Sequence, residues 1–265
     1  LTKTTVRRLA RAAAALALCA SAAASARADA IPQAPHGRPL EYEADENFIA
    51  NEGLFSPVVE TSERWQYVHQ LPYKDVMVGS YARVDRCLKV GAFYELQYGA
   101  RHNDDWAQAI PGGAFGWRNT IGRPESLFIL DATPRAQLSF LPGGNWTASL
   151  KTRYEYNLYN REETLKLEPE LDWFWLDGLT PVATFSLRYQ TYLALNFADA
   201  LVYERWWYAA ALWHATPWLS VGPQVGLRDE IWTTSSEFRS ANPGARYSVT
   251  YKSWVPGLVL VARLP

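Results

Sequence analysis

Cysteine is nearly absent. The chain of 265 residues has two, Cys19 and Cys87, along with one methionine and four histidines. Cys19 falls inside an N-terminal stretch with the marks of a leader, which leaves Cys87 alone. A single thiol excludes the intramolecular disulfide framework of small exported domains, so stability must come from hydrogen bonds and packing. The histidines, His36, His69, His102 and His214, are widely separated and form no metal-ligand spacing with Cys87; no metal or cofactor is implied. The Gly-rich run PGGAFG at 111–116 does not stand between a strand and a helix, which makes it a flexible loop rather than a phosphate cradle. Beyond residue 30 no run is long and apolar enough for a transmembrane helix.

A basic surplus is also missing. Lys3, Arg7, Arg8 and Arg11 precede a short apolar run from Ala12 to Ala24, followed by two overlapping A-x-A cleavage sites between Ala26 and Ala30. This is the layout of a secretory signal peptide, assigned to residues 1–28. Leu18 before Cys19 is larger than a lipidation site prefers, so simple cleavage is expected. Cleavage after Ala28 removes five basic residues and no acidic one, leaving 21 Lys+Arg against 27 Asp+Glu, a formal charge of −6. A nucleic-acid partner, which would need a basic face, is not expected.

Aromatics are abundant: 12 Trp and 15 Tyr, amphipathic side chains that concentrate at membrane–water interfaces. Residues 29–57 are polar and carry Pro32, Pro35 and Pro39, and are expected to form a periplasmic N-terminal segment. From 58 to 265 apolar and polar residues alternate with period two between turn signals. Leu88–Arg101 sets Leu88, Val90, Ala92, Tyr94 and Leu96 on one face and Lys89, Glu95 and Gln97 on the other. Leu127–Phe140, 146–159, 165–175 and 181–195 continue the pattern, with weaker segments at 201–214 and 218–232 and one long final strand, kinked at Pro256-Gly257, within 247–264. Tight connections at 85–86, 141–145, 177–181 and 215–218 alternate with longer polar ones at 102–125, 160–163, 196–200 and 233–245.

Short turns at one end and longer loops at the other, joining strands of about 13 residues, describe a transmembrane β-barrel. A soluble β-sandwich or lipocalin-like barrel shows the same alternation with the faces reversed. The placement of Trp146, Trp173, Trp175, Trp206, Trp207, Trp213, Trp218, Trp232 and Trp254 near strand ends favours the membrane form, where such residues make two girdles. The fold class expected is therefore all-β, an antiparallel transmembrane barrel of about 10 strands, with 8 or 12 as alternatives. On these features the chain resembles bacterial outer-membrane β-barrel proteins as a class, over residues 58–265. RYEYNLYNRE at 153–162 is faintly similar to the Arg/Tyr-rich strands of small oligogalacturonate-type porins. The resemblance implies a cell outer membrane of Gram-negative type, with outer-membrane lipid and barrel assembly machinery as partners.

In KTRYEYNLYNREETLKLEPELDWFWLDG, residues 151–178, charged residues share one strand face and aromatics the other. A hairpin turning at 160–163 would set Arg153 against Glu170 and Lys151 against Asp172. A second hairpin at Asp177-Gly178 would set Glu170 against Arg188, completing a row Arg153–Glu170–Arg188. With Glu95 and Arg135, these seven residues are the expected lumen lining: Glu95, Arg135, Lys151, Arg153, Glu170, Asp172 and Arg188. Arginine suits carboxylates, so the first functional expectation is porin-like passage or binding of a small polar or anionic solute through a narrow charged lumen. The second is a structural or adhesive barrel whose lumen is plugged by salt bridges and whose outer loops bind partners. The third is a surface hydrolase using His102 with Asp104 or Asp105.

Overall fold

Period-two alternation without helical stretches builds an all-β protein. The computed structural model describes residues 40–50, 54–66, 73–98, 104–108, 115–119, 124–159, 161–197, 201–233, 240, 243–244 and 248–264. Thirteen strands follow in order: β1 Glu41–Ala50, β2 Phe55–Gln66, β3 Tyr73–Arg83, β4 Leu88–Tyr98, β5 Asp104–Gln108, β6 Phe115–Asn119, β7 Glu125–Gln137, β8 Trp146–Asn157, β9 Glu163–Asp177, β10 Thr180–Ala194, β11 Val202–Thr216, β12 Leu219–Thr233 and β13 Ser248–Leu264. Eleven of them close a barrel in the order β1-β13-β12-β11-β10-β9-β8-β7-β4-β3-β2, and β5 and β6 form a separate hairpin.

The barrel begins earlier in the chain than the sequence suggests. Glu41–Ala50, placed in the polar N-terminal segment, is strand β1, and β2 starts at Phe55 rather than at residue 58. The reason is physical: β1 buries Glu41 and Glu43 while Tyr42 and Phe48 are exposed, so its interior face is charged and its apolar count is low. With β1 included the strand number is odd. Neighbouring strands pair antiparallel around the wall, but β1 and β13 run parallel, from Glu43↔Gly257 to Ala50↔Leu264. A parallel ladder is slightly weaker per residue, and Pro256 offers it no N–H. Gly257 lets the two backbones meet there: a Cβ on it would stand 2.6 Å from the carbonyl oxygen of Glu43. Gly257→Val is accordingly expected to destabilise the closed barrel by about 1–3 kcal/mol, the usual cost of overpacking. Urea unfolding in detergent measures this, and an unchanged midpoint would mean the seam is not the tight contact described.

The strand ends joining β1 to β2, β3 to β4, β7 to β8, β9 to β10 and β11 to β12 lie at one rim, the turn rim, and those joining β2 to β3, β4 to β7, β8 to β9, β10 to β11 and β12 to β13 at the other, the loop rim. The long connection between β4 and β7 carries the β5–β6 hairpin, and β5 touches β12. In the strand order β12 sits diametrically opposite the β4–β7 junction. The hairpin thus reaches from the β4–β7 side of the barrel across to β12.

Candidate functional site in the barrel interior

The alternation sends two different populations of side chain to the two faces of the wall. Exposed on the outside are Val59, Val76, Val78, Leu96, Leu130, Leu187, Val225 and Leu258, with Trp65 and Tyr98 toward the loop rim and Phe55, Trp175, Trp213 and Trp218 toward the turn rim. The outer face also carries polar contacts, Thr61 donating to Glu46 and Lys74 paired with Glu63 at 2.6 Å. Among the described residues nine carboxylates and four cations are buried. The interior is thus acidic, and each buried charge must be satisfied by a partner or by a solute.

Three nodes organise this interior. At the first, Arg228 Nε donates to Glu204 Oε1 at 2.8 Å, its Nη2 stands 3.0 Å from Glu230, and its Nη1 stands 3.7 Å from Glu41. Trp206 Nε1 donates to the same Glu204 oxygen at 2.7 Å. At the second, Arg153 grips Asp131 with two hydrogen bonds of 2.8 and 3.0 Å, and the Tyr81 hydroxyl donates to Asp131 at 2.9 Å. At the third, Glu168 accepts from Lys166 at 2.9 Å and from Gln190 at 3.0 Å, with Arg188 at 3.9 Å. Between them lies a cavity of about 290 Å³ whose charged lining comprises eight carboxylates and five cations.

Of the expected lumen residues, Glu95, Lys151, Arg153, Glu170 and Arg188 line this cavity. Asp172 does not line it and accepts from Ser186 at 2.5 Å. Arg135 is exposed near the turn-side rim, opposite Ser149. The row Arg153–Glu170–Arg188 forms only in its second half. Glu170 faces Arg188 as expected, but Arg153 faces Lys166 and Lys151 faces Glu168. The hairpin turns earlier than 160–163. Asn157 Oδ1 accepts from the Tyr159 N–H, the Asn157 N–H donates to Glu162, and Arg161 takes φ 62°. An Asx-type turn at Asn157 thus starts the reversal, and the ion partner of Arg153 lies on β7 instead of β9.

Trp206 is a second correction: it is buried inside, not part of a girdle, while Trp207 is exposed. Period two requires adjacent tryptophans to face opposite ways, a signal present in the sequence. Arg64, Trp206, Tyr208 and Arg228 are among the interior residues that sequence reasoning missed, as are Asp131, Glu168 and Glu204. The Arg188 guanidinium lies 4.5 Å from the Tyr208 ring centroid, and Trp206 and Tyr208 stack in parallel at 5.1 Å. His102 lies outside the described residues. His214 hydrogen-bonds both Ser220 Oγ, at 2.7 Å, and Thr184 Oγ1, at 2.8 Å. A threonine where a nucleophilic triad needs a carboxylate, with Ser220 only 1% exposed, makes this a structural tie near the turn-side rim.

No protein-family model matches the chain, and no curated protein does. The functional reading therefore rests on the geometry of the interior.

Proposed function

We propose that this protein is an outer-membrane barrel that holds and passes a small polar solute in a narrow, charged lumen. One observation carries the reading: a charged cavity is enclosed by a wall whose outer face exposes apolar and aromatic side chains. That is the reverse of a water-soluble barrel. The ring of exposed tryptophans near the turn rim suits an interface with lipid headgroups, and the short-turn rim would face the periplasm. The cavity is near the lower limit of small-ligand pockets, about 300 Å³, so its occupant is small. Outer-membrane lipid and the barrel assembly machinery are the other partners in this proposal.

Planar-bilayer reconstitution tests the passage. A small, resolvable conductance is expected, and Arg188→Ala is expected to change its ion selectivity, because Arg188 is a lining cation whose ion pair with Glu168 is long, at 3.9 Å. Silence at all voltages would favour a plugged structural or adhesive barrel, for which the Arg228 node and the hairpin reaching across to β12 both speak. Deleting residues 104–119 separates the contributions. If the hairpin limits the mouth, the deletion raises single-channel conductance; an unchanged conductance would place the restriction at the charged nodes.

A further inference from the structure

We infer that Arg64 anchors a carboxylate-binding subsite in the lumen, and that its ligand is a small, singly charged organic acid with polar groups. The inference deepens the solute-holding lumen proposed above and rests on it.

Two buried arginines share one indole. Arg228 lies 5.2 Å and Arg64 4.9 Å from the Trp206 ring centroid. Arg228 has three carboxylates around it. Arg64 has none within ion-pair distance among the described residues, and its Nη1 is buried without a hydrogen-bond partner there. It is 6% exposed and lines the cavity. Its cross-strand neighbour Glu43 instead accepts from Tyr208, at 3.3 Å, and from Gln224, at 3.1 Å. What holds Arg64 is aromatic: its guanidinium stands 4.7 Å from the Tyr73 centroid as well as against Trp206.

A guanidinium so held is oriented before any ligand arrives. Its N–H groups form a planar fork that matches a carboxylate, and the buried Nη1, without a hydrogen-bond partner among the described residues, is the donor a ligand oxygen would satisfy. The acid surplus of the lining limits that ligand to a single negative charge, since a dianion would meet more repulsion than Arg64 and Arg188 relieve. Gln224, which lines the same cavity, has its amide Oε1 buried without a partner among the described residues, an acceptor for a hydroxyl or amide N–H on the remainder of the molecule.

Calorimetric titration of the detergent-solubilised full chain with sodium gluconate, and with sorbitol as its uncharged counterpart, tests this. Gluconate is expected to bind and sorbitol not to. R64Q is expected to weaken gluconate binding by about 10- to 100-fold, the worth of a charged hydrogen-bonded contact. R64K keeps the charge without the fork and is expected to fall between; it decides the matter if R64Q does not fold. Wild-type affinity in both variants, equal binding of sorbitol, or no gluconate binding to the unmodified protein would each overturn the assignment. The bilayer experiment is independent. Conductance without gluconate binding removes the subsite and leaves the passage, whereas gluconate binding in a silent barrel removes the passage and leaves the subsite.

Discussion

Replacing Arg228 with methionine is expected to cost the folded barrel about 3–5 kcal/mol, the penalty for leaving buried charges without their counter-ion. Glu204 and Glu230 both stand within 3.0 Å of its guanidinium and all three side chains are nearly inaccessible. The loss comes from the stranded carboxylates and not from a large net worth of the ion pairs, because bringing three charges out of water offsets most of their mutual attraction. A compensating variant separates those terms. Replacing Arg228 together with Glu41, Glu204 and Glu230 by apolar residues of similar volume is expected to recover most of the lost stability. Urea unfolding in detergent measures both variants. A loss under about 1 kcal/mol for Arg228→Met would mean the node is open to water.

Leu187→Arg is expected to destabilise the barrel by about 2–4 kcal/mol in a lipid bilayer, the cost of an arginine near the membrane midplane. Leu187 is 62% exposed near the centre of β10, beside Leu171 and Ala209 on the adjoining strands. The same substitution on a water-facing surface stays within about 0.5 kcal/mol. Equilibrium unfolding from vesicles reads the difference directly, and a neutral result would return the outer face to water and overturn the membrane assignment. No interior group is touched, so the outcome does not depend on whether the lumen is open.

The sequence made the faces legible and left the partners largely hidden. Alternation alone told which residues of β8, β9 and β10 turn inward, because side-chain direction follows period two whatever the neighbour is. The β9–β10 register was also readable: Asp177-Gly178 marks a tight turn, Gly178 sits at φ 62°, and Glu170 falls opposite Arg188. In the β8–β9 hairpin the turn was placed too late, which moved every partner by an even number of residues. An even slip keeps each side chain on its face. Arg153 was therefore correctly placed inside and wrongly matched. Contacts across the lumen, such as Arg64 with Trp206, join residues far apart in sequence, and no local signal encodes them. β1 escaped notice because the acids that make its interior face useful also disguise it as a polar leader.

The odd strand number separates the two ends of the wall. β1 begins at the loop rim and β13 ends at the turn rim, beside Ala50. The gap between Glu41 and Leu264 is nearly a whole strand, about 3.3 Å for each of its residues. Barrels with an even strand count bring both ends to one rim, where a short linker permits circular permutation. Here a permuting linker would have to traverse the wall or thread the lumen. Reporter domains fused ahead of β1 and after β13 would stand on opposite sides of the barrel, so a single molecule labelled at both ends would report its own orientation.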